Sequence, residues 1–178
     1  MNKAIIISGN LAQDHEFIYP YYRLLEEGFM IDVCLLEGKP VVGIAGTKIP
    51  PNKDQIVKKI DEVSVNDYQI LVLPGGVKAM EKVRQNLKII EFISEFHKQK
   101  KIIGCICSGA QMLISAKIVQ GKKISGYYSM KDDIINAGAE YIDLPAVIDD
   151  GIITTAHYKD LGPWMKAILQ EFYNQDQK

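Results

Sequence analysis

Long apolar runs are missing from this sequence. No stretch approaches the roughly 18 consecutive apolar residues that a membrane-spanning helix needs. An excess of charge is also missing, because the formal net charge is only −1. Basic residues are scattered, and short pairs such as Lys58-Lys59 cannot follow a phosphate backbone. We therefore expect neither a membrane nor a nucleic acid as a partner.

Cysteine is scarce, with only Cys34, Cys105 and Cys107. A secretory signal is not visible, since the apolar run Ala4–Ile7 is too short for its hydrophobic core. An odd, low cysteine count without such a signal indicates reduced thiols and a cytoplasmic protein. The Cys105-Ile106-Cys107 spacing has no matching second pair, so we predict no metal site and no cofactor.

Linkers, repeats and low-complexity segments are absent as well, which favours one domain over residues 1–178. Short apolar runs alternate with amphipathic stretches. This pattern predicts an α/β fold with a mostly parallel sheet and helices on both faces. The predicted strands are Ala4–Ser8, Ile31–Leu36, Ile70–Leu73, Lys101–Ile106, Ala146–Ile148 and Ile152–Thr155, with a small β excursion over Val41–Ile49. The predicted helices are Glu16–Glu27, Asp54–Glu62 (short, or a helical turn), one or two over Ala79–Gln99, Gly109–Ala116, Lys131–Ala137 and Leu161–Tyr173.

The most informative segment is the passage from a buried strand through Cys107 into a helix. A nucleophile elbow needs small residues two before and two after the nucleophile, and Cys105 and Gly109 meet that need. A helix N-terminus would favour the Cys107 thiolate and lower its pKa. The alternative is that Cys107 is a small buried hydrophobic residue, as most free cysteines are. Cys34 and Cys105 are expected to be core residues.

Several segments in chain order resemble the ThiJ/PfpI superfamily, and most of all its PfpI-type intracellular protease branch. The segments are Glu16–Pro20, Leu71–Gly76, Ile106–Gly109, Lys131–Ala139, Asp160–Leu161 and Trp164–Met165. Together they cover essentially the whole chain. The resemblance implies a flavodoxin-like sandwich related to class I glutamine amidotransferases, which agrees with the fold predicted from periodicity.

The resemblance also implies roles for individual residues. Glu16 matches a glutamate whose carboxyl bonds the reactive sulfur, and Gly75 and Gly76 match glycines whose amides help to form an oxyanion hole. Glu81 matches, with a spacing one residue longer, a glutamate donated across a subunit interface. A homo-oligomer is therefore expected. Each residue also has a plainer interpretation, as a helix glutamate or a turn glycine.

The sequence departs from the family pattern immediately after the cysteine. Ser108 stands where PfpI-type proteases have a histidine that acts as general base, and serine cannot fill that role near neutral pH. His157 follows the strand Ile152–Thr155 and is a candidate to restore a Cys–His pair, or else an ordinary loop histidine. Tyr127 is a candidate to line the pocket, although packing would explain it equally. Ser108 and Gly109 are predicted to supply binding or oxyanion groups.

Two functions remain open on this evidence. The first is a cysteine-dependent enzyme acting on small carbonyl or amide substrates, of glyoxalase, deglycase, amidase or peptidase type. The missing histidine disfavours the peptidase most. The second is a non-catalytic stress or redox protein in which Cys107 is reversibly oxidised. Turnover distinguishes the two, because a sensor reacts only once with its oxidant.

Overall fold

In a computed structural model, described for residues 1–176, the predicted α/β fold is confirmed. The last two residues of the predicted domain, 1–178, lie outside the described part of the chain. The strands are β1 (Lys3–Ser8), β2 (Met30–Leu35), β3 (Val41–Val42), β4 (Lys48–Ile49), β5 (Val57–Lys58), β6 (Ile70–Leu73), β7 (Ile102–Ile106), β8 (Lys123–Ile124), β9 (Glu140–Tyr141), β10 (Val147–Asp149) and β11 (Ile152–Thr155). The α-helices are α1 (Asp14–Glu26), α2 (Val77–Val83), α3 (Leu87–Lys98), α4 (Ala110–Ser115), α5 (Lys131–Asn136) and α6 (Leu161–Asp176).

Seven strands form the central sheet in the order β10-β11-β7-β6-β1-β2-β5. Every pair is parallel except the hairpin of β10 and β11. The central strands β1, β6 and β7 are apolar and buried almost throughout. This burial on both faces is why they appear in the sequence as continuous apolar runs without alternation.

The helices form two contacting groups, α1 with α6, and α2 and α3 with α4. The α6 helix packs on β7 and β11, where Gly104 makes room for it: a Cβ on Gly104 would lie 2.3 Å from Cδ1 of Ile168. The buried Trp164 of the same helix donates its indole N–H to the carbonyl of Ile153 at 2.9 Å. These contacts fix α6 against the strand that leads into Cys107.

One predicted helix is wrong. The segment 54–62 contains the short edge strand β5 and a 3-10 helix at Ile60–Glu62. Val57 pairs in parallel with Val33 of β2, and the Lys58 ammonium contacts Asp32 at 2.8 Å. The conformation of β5 is therefore determined by its pairing with the edge of the sheet and by this ion pair. Local sequence periodicity shows neither of these contacts. The segment 79–99, predicted to hold one or two helices, holds two, the end of α2 and the whole of α3.

Candidate active site

Cys107 occupies a strained turn between β7 and the helical segment that follows. Its φ is +58°, in the left-handed region that a residue with a side chain rarely adopts. A 3-10 turn, Cys107–Gly109, connects β7 to α4. The carbonyl of Cys107 accepts the N–H of Tyr127 at 3.2 Å, which ties the turn to the loop after β8. The turn thus has the backbone that a nucleophile elbow requires.

Glycine at position 109 lets this turn lie close to its neighbours. A Cβ there would lie 2.6 Å from the carbonyl oxygen of Leu73 and 3.0 Å from Sγ of Cys105. Gly109 therefore acts through close packing beneath the elbow, and it is not among the residues that line the cavity. The prediction that Gly109 supplies a binding or oxyanion group stays a prediction.

Glu16 is fully buried in the first turn of α1, beside the elbow. Its Oε2 accepts the backbone N–H of Gly75 at 2.7 Å. A Cβ on Gly75 would lie 2.5 Å from that oxygen and 2.8 Å from Cβ of Cys107, so Gly75 lies between the two side chains. Within the described residues, Oε1 of Glu16 is buried with no hydrogen bond of standard geometry.

The ionisation of Glu16 and Cys107 is coupled. Burial raises the pKa of the Glu16 carboxyl to about 7, although the Gly75 N–H and the Cys107 thiol lower it. Burial and then the nearby Glu16 charge raise the pKa of the Cys107 thiol to about 12. Near neutral pH the Cys107 sulfur therefore keeps its proton, while the Glu16 carboxyl is partly ionised.

The expectation of a depressed pKa for Cys107 is wrong for a physical reason. The helix after the elbow, α4, has only six residues, and it begins after a 3-10 turn. The interactions with Ser108 do lower the Cys107 pKa, but burial and the Glu16 charge exceed them. The helix N-terminus is thus too weak to counter a desolvated site with a carboxylate beside it.

A cavity of about 380 Å³ opens over Cys107. Its polar residues include Glu16, Cys107, Ser108 and His157, and Gly76 also lines it. The remaining lining residues are Gln13, Ile44, Val77, Gln111, Tyr127, Ser129, Met130 and Tyr158. Cys107 is 9% exposed, whereas Cys34 and Cys105 are sealed in the core. The cavity size is in the range of small-molecule sites.

His157 lines the cavity, but one of its ring nitrogens is already engaged. Its Nδ1 accepts the backbone N–H of Lys159 at 3.1 Å. A neutral imidazole with Nδ1 as acceptor carries its proton on Nε2. In this tautomer His157 presents a donor to a ligand, and it has no free lone pair with which to deprotonate Cys107.

Gly75 is placed differently from the expectation, and Glu81 lies on the surface outside the cavity over Cys107. The Gly75 amide is donated to Glu16, so the prediction that it binds an oxyanion is corrected. Glu81 is exposed and lines a second cavity of about 560 Å³, together with Arg84. Glu81 does not line the cavity over Cys107. The second cavity shares Val77, Gln111, Ser129 and Met130 with the first.

Several lining residues were not identified from the sequence. Gln111 is a buried polar residue between the apolar residues Ala110 and Met112 of α4, and that contrast is a signal that could have identified it. Its Oε1 accepts a hydrogen bond from the Arg84 guanidinium at 3.3 Å. Ile44 comes from the connection between β3 and β4, which sequence periodicity could not place over the site.

The described part of the chain contains no cluster of metal ligands. Among residues 1–176, no group of three or more His, Cys, Asp or Glu side chains is arranged to hold an ion. In the same part of the chain, no helix has both the length and the apolar character needed to cross a bilayer.

Comparisons with known proteins agree with this fold. Residues 2–171 match the DJ-1/PfpI family. The chain is 36% identical over 168 residues to the protein named Deglycase PfpI from Pyrococcus furiosus, covering 94% of this chain and 98% of that protein. It is 32% identical over 169 residues to general stress protein 18 of Bacillus subtilis, covering 94% and 95%. The DJ-1 structure from Schizosaccharomyces pombe, 20% identical, superimposes with a TM-score of 0.83 over 97% of this chain and 95% of that chain. The chain therefore belongs to the DJ-1/PfpI family.

Proposed function

We propose that this protein is a cysteine-dependent enzyme acting on small carbonyl compounds, of the glyoxalase or deglycase type. The observation that carries the proposal is the buried Glu16 carboxyl beside Cys107 at the base of a cavity. A group whose pKa is about 7 is suited to take and return protons at neutral pH. The name of the Pyrococcus relative, a deglycase, supports the same chemistry.

The proton balance of such a reaction fits one thiol and one carboxyl group. As Sγ of Cys107 bonds to an aldehyde carbon, the Glu16 carboxylate takes the thiol proton and passes it to the aldehyde oxygen. This gives a hemithioacetal. For a 2-oxoaldehyde, Glu16 then moves the proton on that carbon to the neighbouring carbonyl carbon. The hydroxyl proton of the hemithioacetal passes to the neighbouring carbonyl oxygen, and the product is the thioester of a 2-hydroxy acid. Water cleaves the thioester, so that one aldehyde and one water give one 2-hydroxy acid and the free thiol.

A raised thiol pKa is compatible with this sequence of steps. The thiol does not need to be ionised beforehand, because the base lies beside it and removes the proton during attack. Gly76 and Ser108 lie at the cavity, and their backbone amides are candidates to stabilise the developing oxyanion. His157, with its proton on Nε2, is a further candidate donor to a substrate oxygen.

Peptide hydrolysis fits this site less well. Amide cleavage needs a base for the nucleophile and an acid for the departing amine. Ser108 supplies neither, and Nδ1 of His157 is engaged by Lys159. We therefore expect casein cleavage at background level, even though the fold is shared with proteins named as proteases.

The test is direct. Purified protein is incubated with methylglyoxal, and lactate is measured by chromatography, with casein hydrolysis followed in parallel. We expect lactate to form catalytically, and Cys107→Ala to abolish it. Robust casein cleavage that depends on Cys107, with no lactate, would overturn the proposal in favour of a peptidase.

A second function has its own supporting observation. Among residues 1–176, Oε1 of Glu16 has no hydrogen-bond partner of standard geometry, and a protonated Oε1 could donate a hydrogen bond to an oxidised Cys107 side chain. The relative named general stress protein 18 fits such a role. Consumption of one peroxide per protein, without lactate formation, would favour this second function. A thiol reductant should then restore the Cys107 thiol.

A homo-oligomer and a cytoplasmic location are part of the proposal. Glu81 is exposed on α2, so its carboxylate is available to a partner subunit. Light scattering at micromolar concentration is expected to show at least a dimer. A fully active monomer would remove any role for Glu81 across an interface.

A further inference from the structure

The cavity is wider and more apolar than a three-carbon substrate needs. The apolar part of its lining includes Ile44, Val77, Tyr127, Met130 and Tyr158. Ile44 is 55% exposed and Tyr158 is 41% exposed, so large apolar groups lie open at the mouth. Exposed apolar surface concentrated at one concave site is typical of a ligand-binding surface.

Aromatic rings continue outward from this mouth. The rings of His157 and Tyr158 have centroids 4.0 Å apart, and His15 stacks on Tyr158 at 5.0 Å. Tyr127 lies parallel to His157 within 27°, at 6.4 Å. Three of these residues, Tyr127, His157 and Tyr158, line the cavity that holds Cys107, and His15 is stacked on Tyr158. We call the four residues the aromatic rim, and its rings at the cavity have flat faces. Flat faces of this kind bind other rings by offset or edge contacts.

The Ile44 side of the mouth is held in place by Asp14. The Asp14 carboxylate accepts the N–H groups of Ala45 at 2.7 Å and Thr47 at 2.9 Å. The N–H of Ile44 is donated to the carbonyl of Ala12 at 3.0 Å. The connection that carries Ile44 is thus fixed to the start of the helix that carries Glu16. The apolar wall is therefore formed before any ligand binds.

Charge at the cavity argues against anionic ligands. None of the residues that line it in the described chain is Lys or Arg. Glu16, the one carboxyl group among them, ionises around neutral pH. A ligand carboxylate or phosphate would meet this negative charge without a compensating cation.

From these observations we infer the substrate class: neutral 2-oxoaldehydes with a flat apolar substituent, whose ring lies between Ile44 and the aromatic rim while Cys107 attacks the aldehyde carbon. The inference rests on the proposed function. Phenylglyoxal is the probe for this class. Methylglyoxal lacks the ring, and 4-carboxyphenylglyoxal keeps the ring and the 2-oxoaldehyde but adds a carboxylate.

The experiment compares steady-state kinetics for the three aldehydes in the wild type and in Tyr127→Leu and Ile44→Ser. A group that fills an apolar pocket changes discrimination by about 10-fold or more. We expect kcat/KM to be higher for phenylglyoxal than for methylglyoxal or 4-carboxyphenylglyoxal. Each variant should raise KM for phenylglyoxal about 10-fold and raise KM for methylglyoxal by a smaller factor. Tyr19→Leu, an equally exposed tyrosine (39%) on α1 outside this cavity, is the matched control.

The substrate inference is overturned if methylglyoxal is consumed but phenylglyoxal is not preferred, or if the two variants raise KM for both aldehydes alike. If no aldehyde is consumed, the proposed function fails. The inferred preference for a flat apolar group is then tested by ligand binding alone. Acetophenone, which has the ring but no aldehyde, should then slow iodoacetamide labelling of Cys107 at least 5-fold more than acetone at equal concentration. Equal protection by the two ketones would overturn the inference.

Discussion

Glu16 and Gly75 are joined by a buried hydrogen bond, in which the backbone N–H of Gly75 donates to Oε2 across 2.7 Å. The bond fixes one carboxylate oxygen and leaves Oε1 without a partner of standard geometry among the described residues. The carboxyl group is therefore oriented by the backbone. Its second oxygen is left for the proton transfers proposed above.

Replacement of Glu16 by glutamine should abolish most turnover. Glutamine keeps the shape and can still accept the Gly75 N–H, but it cannot take the thiol proton. General acid–base catalysis is typically worth about 10²–10⁴ in rate, and we expect a loss in kcat of that size. Glu26→Gln is the control, because Glu26 lies on the same helix and is exposed. Wild-type kcat in Glu16→Gln would exclude Glu16 as the base.

Activity should rise with pH through about pH 7. The carboxylate form of Glu16 is the base, and burial raises the pKa of this group to about 7. A profile of kcat/KM against pH should show this ionisation as its acidic limb. A flat profile between about pH 5 and about pH 8 would contradict the assignment.

Stability should change with pH in the opposite direction. The Glu16 pKa is about 7 in the folded protein against an ordinary 4.5, so the unfolded chain releases this proton first as pH rises. The free energy of unfolding contributed by Glu16 is then fully present below pH 4.5, and up to about 3 kcal/mol is lost as pH rises to 7. Urea unfolding at several pH values should show this decline in the wild type and a smaller one in Glu16→Gln. An equal decline in the two proteins would assign the effect to other groups.

Thiol labelling should distinguish the three cysteines. Cys107 is 9% exposed at a cavity, whereas Cys34 and Cys105 are at most 1% exposed. Limiting iodoacetamide followed by peptide mass mapping should modify Cys107 first. The rate should increase with pH, because the thiolate reacts and burial raises the pKa of Cys107 to about 12. Earlier labelling of Cys34 would contradict this order.

A methyl group at Gly75 should damage the site directly. The added Cβ of Gly75→Ala would lie 2.5 Å from Oε2 of Glu16 and 2.8 Å from Cβ of Cys107. We expect at least a 10-fold loss of kcat, or a protein that does not fold. Gly162→Ala is the matched control, because no atom lies within 4 Å of its added Cβ and it sits in helix α6. Alanine at position 162 should leave kcat close to the wild-type value. Normal activity in Gly75→Ala would show that Glu16 and Cys107 can separate without loss of function.

Much of the fold follows from local sequence patterns, because buried parallel strands leave continuous apolar runs such as Ile70–Leu73. The elbow at Cys107 is equally visible, since its steric demands fall on adjacent residues. The edge strand β5 could not be predicted, because its two residues are specified by a neighbouring strand that is distant in sequence. The pKa of Cys107 was mispredicted for a similar reason: it depends on burial and on Glu16, 91 positions earlier in the printed sequence.

The parallel register of β1, β6, β7 and β11 has an evolutionary consequence. Each strand delivers one connection to the same edge of the sheet, and these connections carry Glu16, Gly76, Cys107 and His157. A substitution in one connection, such as the serine at position 108, can therefore alter the chemistry while the strands beneath keep their pairing. Relatives can therefore diverge one loop at a time, so that the fold is kept while the chemistry of the site changes.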